Sequence, residues 1–366
     1  MVNMEKTLHK DLYIESEWFE KESSHIFQNE WFCVARNEDF KAPGDFKLSN
    51  IAGESIFLLL GEDNQIRSFF NLCKHRGCQL LDITDESQSK GSFKKFIRCP
   101  YHSWTYNLDG SLRKAPHLDL DTHNDEYHLN EIITESWGGF LFIKMKNNER
   151  SLRDQVNGFE KQFHRYGLEN LKTGSAFSYI VDANWKVILE NYNECYHCAG
   201  VHPELCKIVP EFTKKGGTEL DWEDGIPQRE GTNTFTFSGT TNRPHIPGLN
   251  HLEKERHFGE LIYPNLMISL SMDHAAAFIV NPLGPEKTLI DCRILFHPDA
   301  INMTDFKPND AGEFWDLVNI QDWTICERVQ KGMKSMSFKH GFYGPMEDQS
   351  KDIRIYIAKQ LGIKFE

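Results

Sequence analysis

The chain reads as an α+β protein: an all-β first part, then a second part in which long alternating strands are followed by a strongly periodic helix. Three observations predict this. From about Trp31 to about Lys146, short apolar runs are separated by Gly, Asn and Asp turns. After Asn147 the composition becomes charged and helix-like, then shifts to strands with two-residue alternation. At 366 residues the chain exceeds the size at which one core keeps growing, so two domains are the default, and 39% hydrophobic residues suffice to fill both.

The elements follow in order. Ile56-Phe57-Leu58-Leu59-Leu60 and Phe140-Leu141-Phe142-Ile143 are strand-like runs. Leu108-Asp109-Gly110-Ser111-Leu112 is a hairpin turn, because Asp-Gly tolerates positive backbone angles. The polar stretch Thr84 to Lys95 is expected as a solvated excursion. Ser151 to Tyr166 is helix-like. A strand is expected to start at Tyr263-Pro264-Asn265 and run through Leu270. Thr288 to Phe296 is the clearest strand, with Leu289, Asp291, Arg293 and Leu295 on one face and Ile290, Cys292, Ile294 and Phe296 on the other. A helix from about Ala311 to Met336 is expected to close the domain. No internal repeat or low-complexity tract is present.

Charge and cysteine usage exclude several function classes. With 41 basic and 54 acidic residues the net charge is −13, and no Lys/Arg-rich run interrupts it, so nucleic acid is not an expected partner. Met1 to Tyr13 lacks the apolar core of a signal peptide, and no stretch approaches the roughly 20 apolar residues of a membrane span. A soluble, cytoplasmic protein is expected, with no membrane partner. Nine cysteines without regular spacing fit reduced thiols better than a disulfide framework.

Two Cys-His pairs dominate the first part: Cys73-Lys74-His75 and Cys99-Pro100-Tyr101-His102. Each loop supplies one thiol and one imidazole. That pattern fits a Rieske [2Fe-2S] centre, in which two thiolates hold one iron and two imidazoles the other. Structural zinc uses the same residue types, but zinc fingers usually group their cysteines together and their histidines together. The glycine and proline of the two stretches suit sharp metal-binding loops.

The second part carries another constellation, Glu190-Asn191-Tyr192-Asn193-Glu194-Cys195-Tyr196-His197-Cys198-Ala199-Gly200-Val201-His202-Pro203. Histidines five apart lie about 140° apart on an ideal helix, so they share a metal only if the helix distorts or ends between them. Gly200 and Pro203 supply the expected break. Two histidines with open positions suggest mononuclear iron(II) completed by one carboxylate. On the later helix Phe314, Leu317, Val318, Gln321, Asp322, Ile325 and Val329 form an expected buried stripe, which puts Asp322 where an isolated charge is costly and a metal would remove the cost. A shifted register would instead leave Asp322 at a surface edge with Glu327 and Arg328. Cys195-x-x-Cys198 lacks the strand-helix setting of a redox or zinc motif.

With these motifs in place the chain resembles the oxygenase component of Rieske non-haem iron oxygenases over nearly its whole length. The carrying residues are Cys73-x-His75, Cys99-x-x-His102 within Cys-Pro-Tyr-His-Ser-Trp-Thr-Tyr-Asn-Leu-Asp-Gly, Asn184-Trp185-Lys186, Glu190-Asn191, and Glu194-x-Tyr196-His197-x4-His202-Pro203. The spacing from His75 to Cys99 exceeds the family's usual one. Glu194 stands where most members have Asp, as in carnitine- and glycine-betaine-type members. Respiratory Rieske carriers share a cysteine at the position of Cys78, but Tyr101 occupies the place of its disulfide partner.

The resemblance implies an N-terminal helical segment, 1–30, packing on the catalytic domain. A Rieske domain at 31–146 and a helix-grip (START-like) antiparallel-sheet catalytic domain at 147–366 follow. It implies that Cys73, His75, Cys99 and His102 bind the cluster, that His197, His202 and Asp322 bind mononuclear Fe(II), and that Glu194 bridges to the cluster of a neighbouring subunit in a homotrimer. O2 is the co-substrate, and NAD(P)H electrons arrive through a separate flavin/iron-sulfur reductase. The stretches Asn191 to Cys198, Thr234 to Gly239, Arg243-Pro244 and Tyr263 to Leu266 resemble the subgroup that hydroxylates N-methyl groups of betaine-like quaternary ammonium compounds, releasing formaldehyde. An aromatic ring-hydroxylating dioxygenase α subunit is the alternative enzyme, and a cluster protein that only relays electrons is the non-catalytic one.

Overall fold

The computed structural model describes residues 4–51, 53–82, 89–218 and 220–364. The chain divides into two compact units, Phe27–Leu152 and Met1–Ile26 with Arg153–Glu366. Among the described residues no helix is long and apolar enough to cross a membrane.

The first unit is all-β. Its described strands form a seven-stranded antiparallel sheet in the order Phe32–Arg36, Phe140–Lys144, Glu131–Trp137, Ile66–Phe70, Glu54–Leu60, Asp45–Ile51 and Ser89–Ser92. A small sheet of Ile97–Arg98, Thr105–Tyr106 and Leu112–Lys114 joins the same core, in which Phe57, Phe69, Ile97, Trp104 and Tyr106 surround Cys73 and Cys99. Between the last two strands Gly110 turns the chain at φ +85°. A Cβ there would lie 2.5 Å from the Phe69 ring, so the position needs glycine for space as well as for angle.

One expectation changes here. The stretch Thr84 to Lys95 is not simply an excursion: residues 84–88 lie outside the described residues, but Ser89–Ser92 is an edge strand paired with Asp45–Leu48. Its polar composition concealed it, because an edge strand exposed to water needs no apolar alternation.

The second unit is built on a six-stranded antiparallel sheet in the order Lys172–Val181, Lys287–Phe296, His274–Gly284, Leu266–Leu270, Arg256–Ile262 and Ile226–Pro227. The helix Asn309–Met333 lies against its first strand. Tyr179 donates to Asp316 at 2.6 Å, and Gly312 makes the approach possible, since a Cβ there would come within 2.9 Å of Ser175 Oγ. This sheet holding a long helix is the expected helix-grip arrangement.

Two details of that unit differ from the sequence expectation. The helix does not close the domain, because Asp348–Leu361 forms a further helix that packs on Trp185–Tyr192. The buried stripe is also rotated: Val329 is 41% exposed, while Trp315, Asn319, Trp323, Cys326 and Gln330 are buried. Asn319 and Gln330 are buried because both side chains find partners, Tyr179 Oη for the first and the Asn184 amide and Tyr13 carbonyl for the second.

The Asn184-Trp185-Lys186 motif anchors the N-terminal segment. Asn184 caps the helix by accepting from the Lys186 amide at 3.0 Å, Trp185 donates its indole N–H to Glu22 at 2.8 Å, and Lys186 pairs with Glu22 at 2.5 Å in full burial.

Candidate functional site

In the first unit the two Cys-His loops are shaped by their own backbone. The Cys73 amide donates to the Cys78 carbonyl and the Gly77 amide to Cys73; the Cys99 amide donates to Trp104 and the Ser103 amide to Cys99. Positive φ at Gly77 and Ser103 completes the two turns. Each loop thereby points its thiol inward and its imidazole outward: Cys73 and Cys99 are 1% and 2% exposed, whereas His75 and His102 are exposed.

The loops bring the residues together in pairs. The His75 and His102 rings are 4.7 Å apart, and His75 stacks on Trp104 at 5.0 Å and 3°. The Cys73 thiol is pushed above its ordinary pKa by burial and, further, by contact with Cys99. Tyr106 Oη lies 3.1 Å from Cys73 Sγ and accepts from the Lys74 amide, so its own hydrogen is free to point at the sulfur.

Two adjacent buried thiols with two imidazoles at the surface match a two-ended cluster. A single tetrahedral ion needs four donors converging on one point. Among the described residues, the one group of three or more His, Cys, Asp or Glu whose donor atoms converge is His197, His202 and Asp322.

That second group is assembled from two segments. One helical turn, Cys198–Val201, separates the histidines, and His202 leaves the helix at φ −119°, ψ 67°. The break lies at His202 because Pro203 disfavours helical backbone in the residue before it. Gly200 sits inside the turn and is not the break. The imidazoles therefore converge, with Nε2 atoms 3.2 Å apart. The helix Asn309–Met333 brings Asp322 Oδ1 to 2.8 Å from His202 Nε2 and 3.3 Å from His197 Nε2.

Three atoms at these spacings fit one face of an octahedron, whose edge is about 3.0 Å for metal–ligand bonds of about 2.1 Å. The surroundings set both tautomers. His197 Nδ1 donates to Glu194 Oε1 at 2.6 Å. His202 Nδ1 donates to Gln321 Oε1 at 2.8 Å, and the amide orientation is fixed by Gln321 Nε2 donating to the Glu204 carboxylate at 3.3 Å. Both Nε2 lone pairs then face Asp322, as a metal site requires. Burial disfavours a charge on His197, yet Asp322 and Glu194 outweigh it and push its pKa up to about 11.

Glu194 is held in turn by the backbone amides of Tyr196 and His197. Gln321, Glu204 and the cavity beside the ligands were missed by sequence reasoning, which placed Gln321 only in an apolar stripe. Nothing in its spacing distinguishes a glutamine that orients a histidine from one at a helix edge. The cavity, about 620 Å³ with its mouth included, is walled by Tyr192, Phe212, Trp222, Phe235, His257 and Trp315 together with the three convergent residues. The Cys195 thiol, raised by burial although Cys198 opposes the shift, and the Cys198 thiol, raised by Cys195 and by burial, also line it and form no disulfide.

Residues 168–362 match the ring hydroxylating alpha subunit (catalytic domain) family, and residues 30–124 match the Rieske [2Fe-2S] domain. The chain is 28% identical to the glycine betaine monooxygenase oxygenase subunit of Chromohalobacter salexigens over 372 residues, 92% of this chain and 81% of that one. It is 30% identical to the carnitine monooxygenase oxygenase subunit of Acinetobacter baumannii over 342 residues, 91% of this chain and 86% of that one. The crystal structure of the quaternary ammonium Rieske monooxygenase CntA in complex with L-carnitine superposes with a TM-score of 0.74 at 26% identity, covering 98% of this chain and 96% of that one.

Proposed function

The chain belongs to the ring-hydroxylating oxygenase α-subunit family, with a Rieske domain ahead of its catalytic domain, and from that premise we propose that it hydroxylates an N-methyl group of a quaternary ammonium compound. The product carbon is a hemiaminal, which expels formaldehyde and leaves the demethylated amine. The relatives that act on glycine betaine and carnitine support this substrate class, as does the aromatic wall of the cavity, whose ring faces attract a cation. The single observation that carries the reading is the convergence of His197, His202 and Asp322 beside that wall.

In this reading Cys73, His75, Cys99 and His102 hold the [2Fe-2S] cluster, and His197, His202 and Asp322 hold the iron. When bound, the cluster relays single electrons and the iron reacts with O2 at positions left open by three protein ligands. Glu194 and Gln321 orient the two imidazoles, and Tyr106 donates a hydrogen bond to the Cys73 sulfur. Phe212, Trp222 and Phe235 line the same cavity with aromatic rings. The holoenzyme is a cytoplasmic homotrimer served by a flavin/iron-sulfur reductase that draws on NAD(P)H. Glu194 is the link from one subunit's iron site to its neighbour's cluster.

The test measures iron content, oxygen uptake and formaldehyde release with NAD(P)H and a competent reductase, against a panel of betaines and aromatic acids. About three irons per chain are expected, where an electron carrier would hold about two. Formaldehyde formed in step with oxygen consumption supports the reading. A cis-diol from an aromatic acid, with no formaldehyde from any quaternary ammonium compound, overturns it.

A further inference from the structure

The cavity has two ends of different character. The helix Asn309–Met333 sends Trp315, Val318 and Asp322 into its wall at spacings of three and four, so the indole and the carboxylate share a face about 10 Å apart along the axis. At the indole end the rings of Phe212, Trp222 and Phe235 stand nearly perpendicular to the His257 ring, with centroids 6.4, 6.1 and 4.6 Å away. His257 is 5% exposed and lines the cavity; its Nδ1 is sealed inside the wall, and its Nε2 is the ring nitrogen beside the space that Gly259 leaves open. A bound group that hydrogen-bonds this nitrogen recovers free energy that a polar atom loses on leaving water.

Gly259 opens the space beside it. A Cβ at Gly259 would sit 3.4 Å from Trp222 Cζ3, 3.4 Å from Tyr192 Oη and 3.7 Å from His257 Nε2. The other polar atoms of this end are uncharged: Tyr192 Oη and Ser269 Oγ lie 3.1 Å apart. Among the described lining residues none is Lys or Arg, and the carboxylates, Glu194 and Asp322, belong to the metal end.

We propose that His257 is a specificity-determining residue that hydrogen-bonds a hydroxyl on the tail of the quaternary ammonium substrate, so that the cavity favours ammonium alcohols over ammonium carboxylates. This rests on the N-methyl-hydroxylating reading above. A hydroxyl both donates and accepts, so it pairs with Nε2 in either tautomer. A carboxylate only accepts, and it would leave water for a wall that offers no positive charge. His257 does not supply that charge, because burial pushes its pKa down to about 3 although the Leu270 backbone opposes the shift. The same neutrality suits a cavity that must also take a cation.

The experiment measures dissociation constants by calorimetry for choline, glycine betaine and tetramethylammonium on the iron-loaded holoenzyme, wild type and His257→Phe. Wild type is expected to bind choline at least tenfold tighter than either of the others. In His257→Phe the choline advantage is lost while tetramethylammonium, which has no tail, binds as before. His257→Asn, which keeps a donor and an acceptor, should restore part of it and guards against a folding defect in the first variant. Glycine betaine binding as tightly as choline, or a choline advantage that survives His257→Phe, overturns the assignment while leaving the N-demethylation reading in place. Failure of all three ammonium ions to bind overturns both.

Discussion

The loops around Cys73 and Cys99 are shaped mainly by backbone bonds made inside the loops, whereas His197, His202 and Asp322 meet only because a distant helix packs against the segment that carries the histidines. In the first region four backbone hydrogen bonds and two positive-φ residues fix where each thiol and imidazole points. In the second, one imidazole depends on Glu194 nearby and the other on Gln321, which arrives from a helix more than a hundred residues later in the chain. A locally folded site tolerates changes around it. A site assembled at long range is only as ordered as the packing that brings its parts together.

That contrast can be broken or sharpened by substitution. The largest effect is expected from Asp322→Ala, which removes a donor and the charge that balances the cation. The mononuclear iron should be lost and turnover should fall at least on the order of 1,000-fold, since a metal supplies several kcal/mol of catalysis. The cluster's absorption and paramagnetic signals should remain, and full iron occupancy in this variant would exclude Asp322 as a ligand.

Glu194→Gln keeps the side chain's shape but removes its charge and one good acceptor. Turnover should fall about 100-fold with iron retained. Rapid-mixing spectra should show the cluster reduced normally but reoxidised slowly when substrate and oxygen are added. Normal reoxidation would refute the bridging role proposed for Glu194.

Gln321→Leu should leave the fold intact and free His202 to rotate, weakening iron binding by about 10- to 100-fold. Chelator competition reads this directly, and unchanged iron retention would mean that the helix packing alone orients His202.

The smallest effect belongs to the locally built site. Tyr106→Phe deletes the hydrogen bond at Cys73 Sγ. A hydrogen bond to sulfur stabilises the more negative reduced state, so the cluster potential should drop by an amount on the order of tens of millivolts. Protein-film voltammetry measures it, and an unchanged potential would show that the phenol does not donate to the sulfur.

The sequence was most informative where function is written in short range. The four residues proposed to hold the cluster, the two histidines and Glu194 all lie within a few residues of a glycine, a proline or one another, and those neighbours shape the backbone that aims them. Asp322 was legible for a different reason, since a carboxylate among apolar helix positions asks for a cation. The register around it was less so. Val329 proved exposed and Asn319 and Gln330 buried, because polar side chains enter a core when partners wait there, and periodicity cannot see partners. The strand Ser89–Ser92 and the helix Asp348–Leu361 were missed for the same kind of reason. Each lies at an edge or end where neighbours, and not internal pattern, stabilise the element.

By itself the amino-acid order determined the α+β class, the residue types proposed to bind metal, and the break at His202 that Pro203 imposes. Only the tertiary structure decided that Gln321 faces His202, that Glu204 fixes its amide, and that His257 stands among aromatic rings with no Lys or Arg beside it. Hydrogen bonds inside a loop are set by adjacent residues, so the sequence displays them. Contacts between distant segments are set by how sheet and helices pack, and that information belongs to no single stretch of the chain.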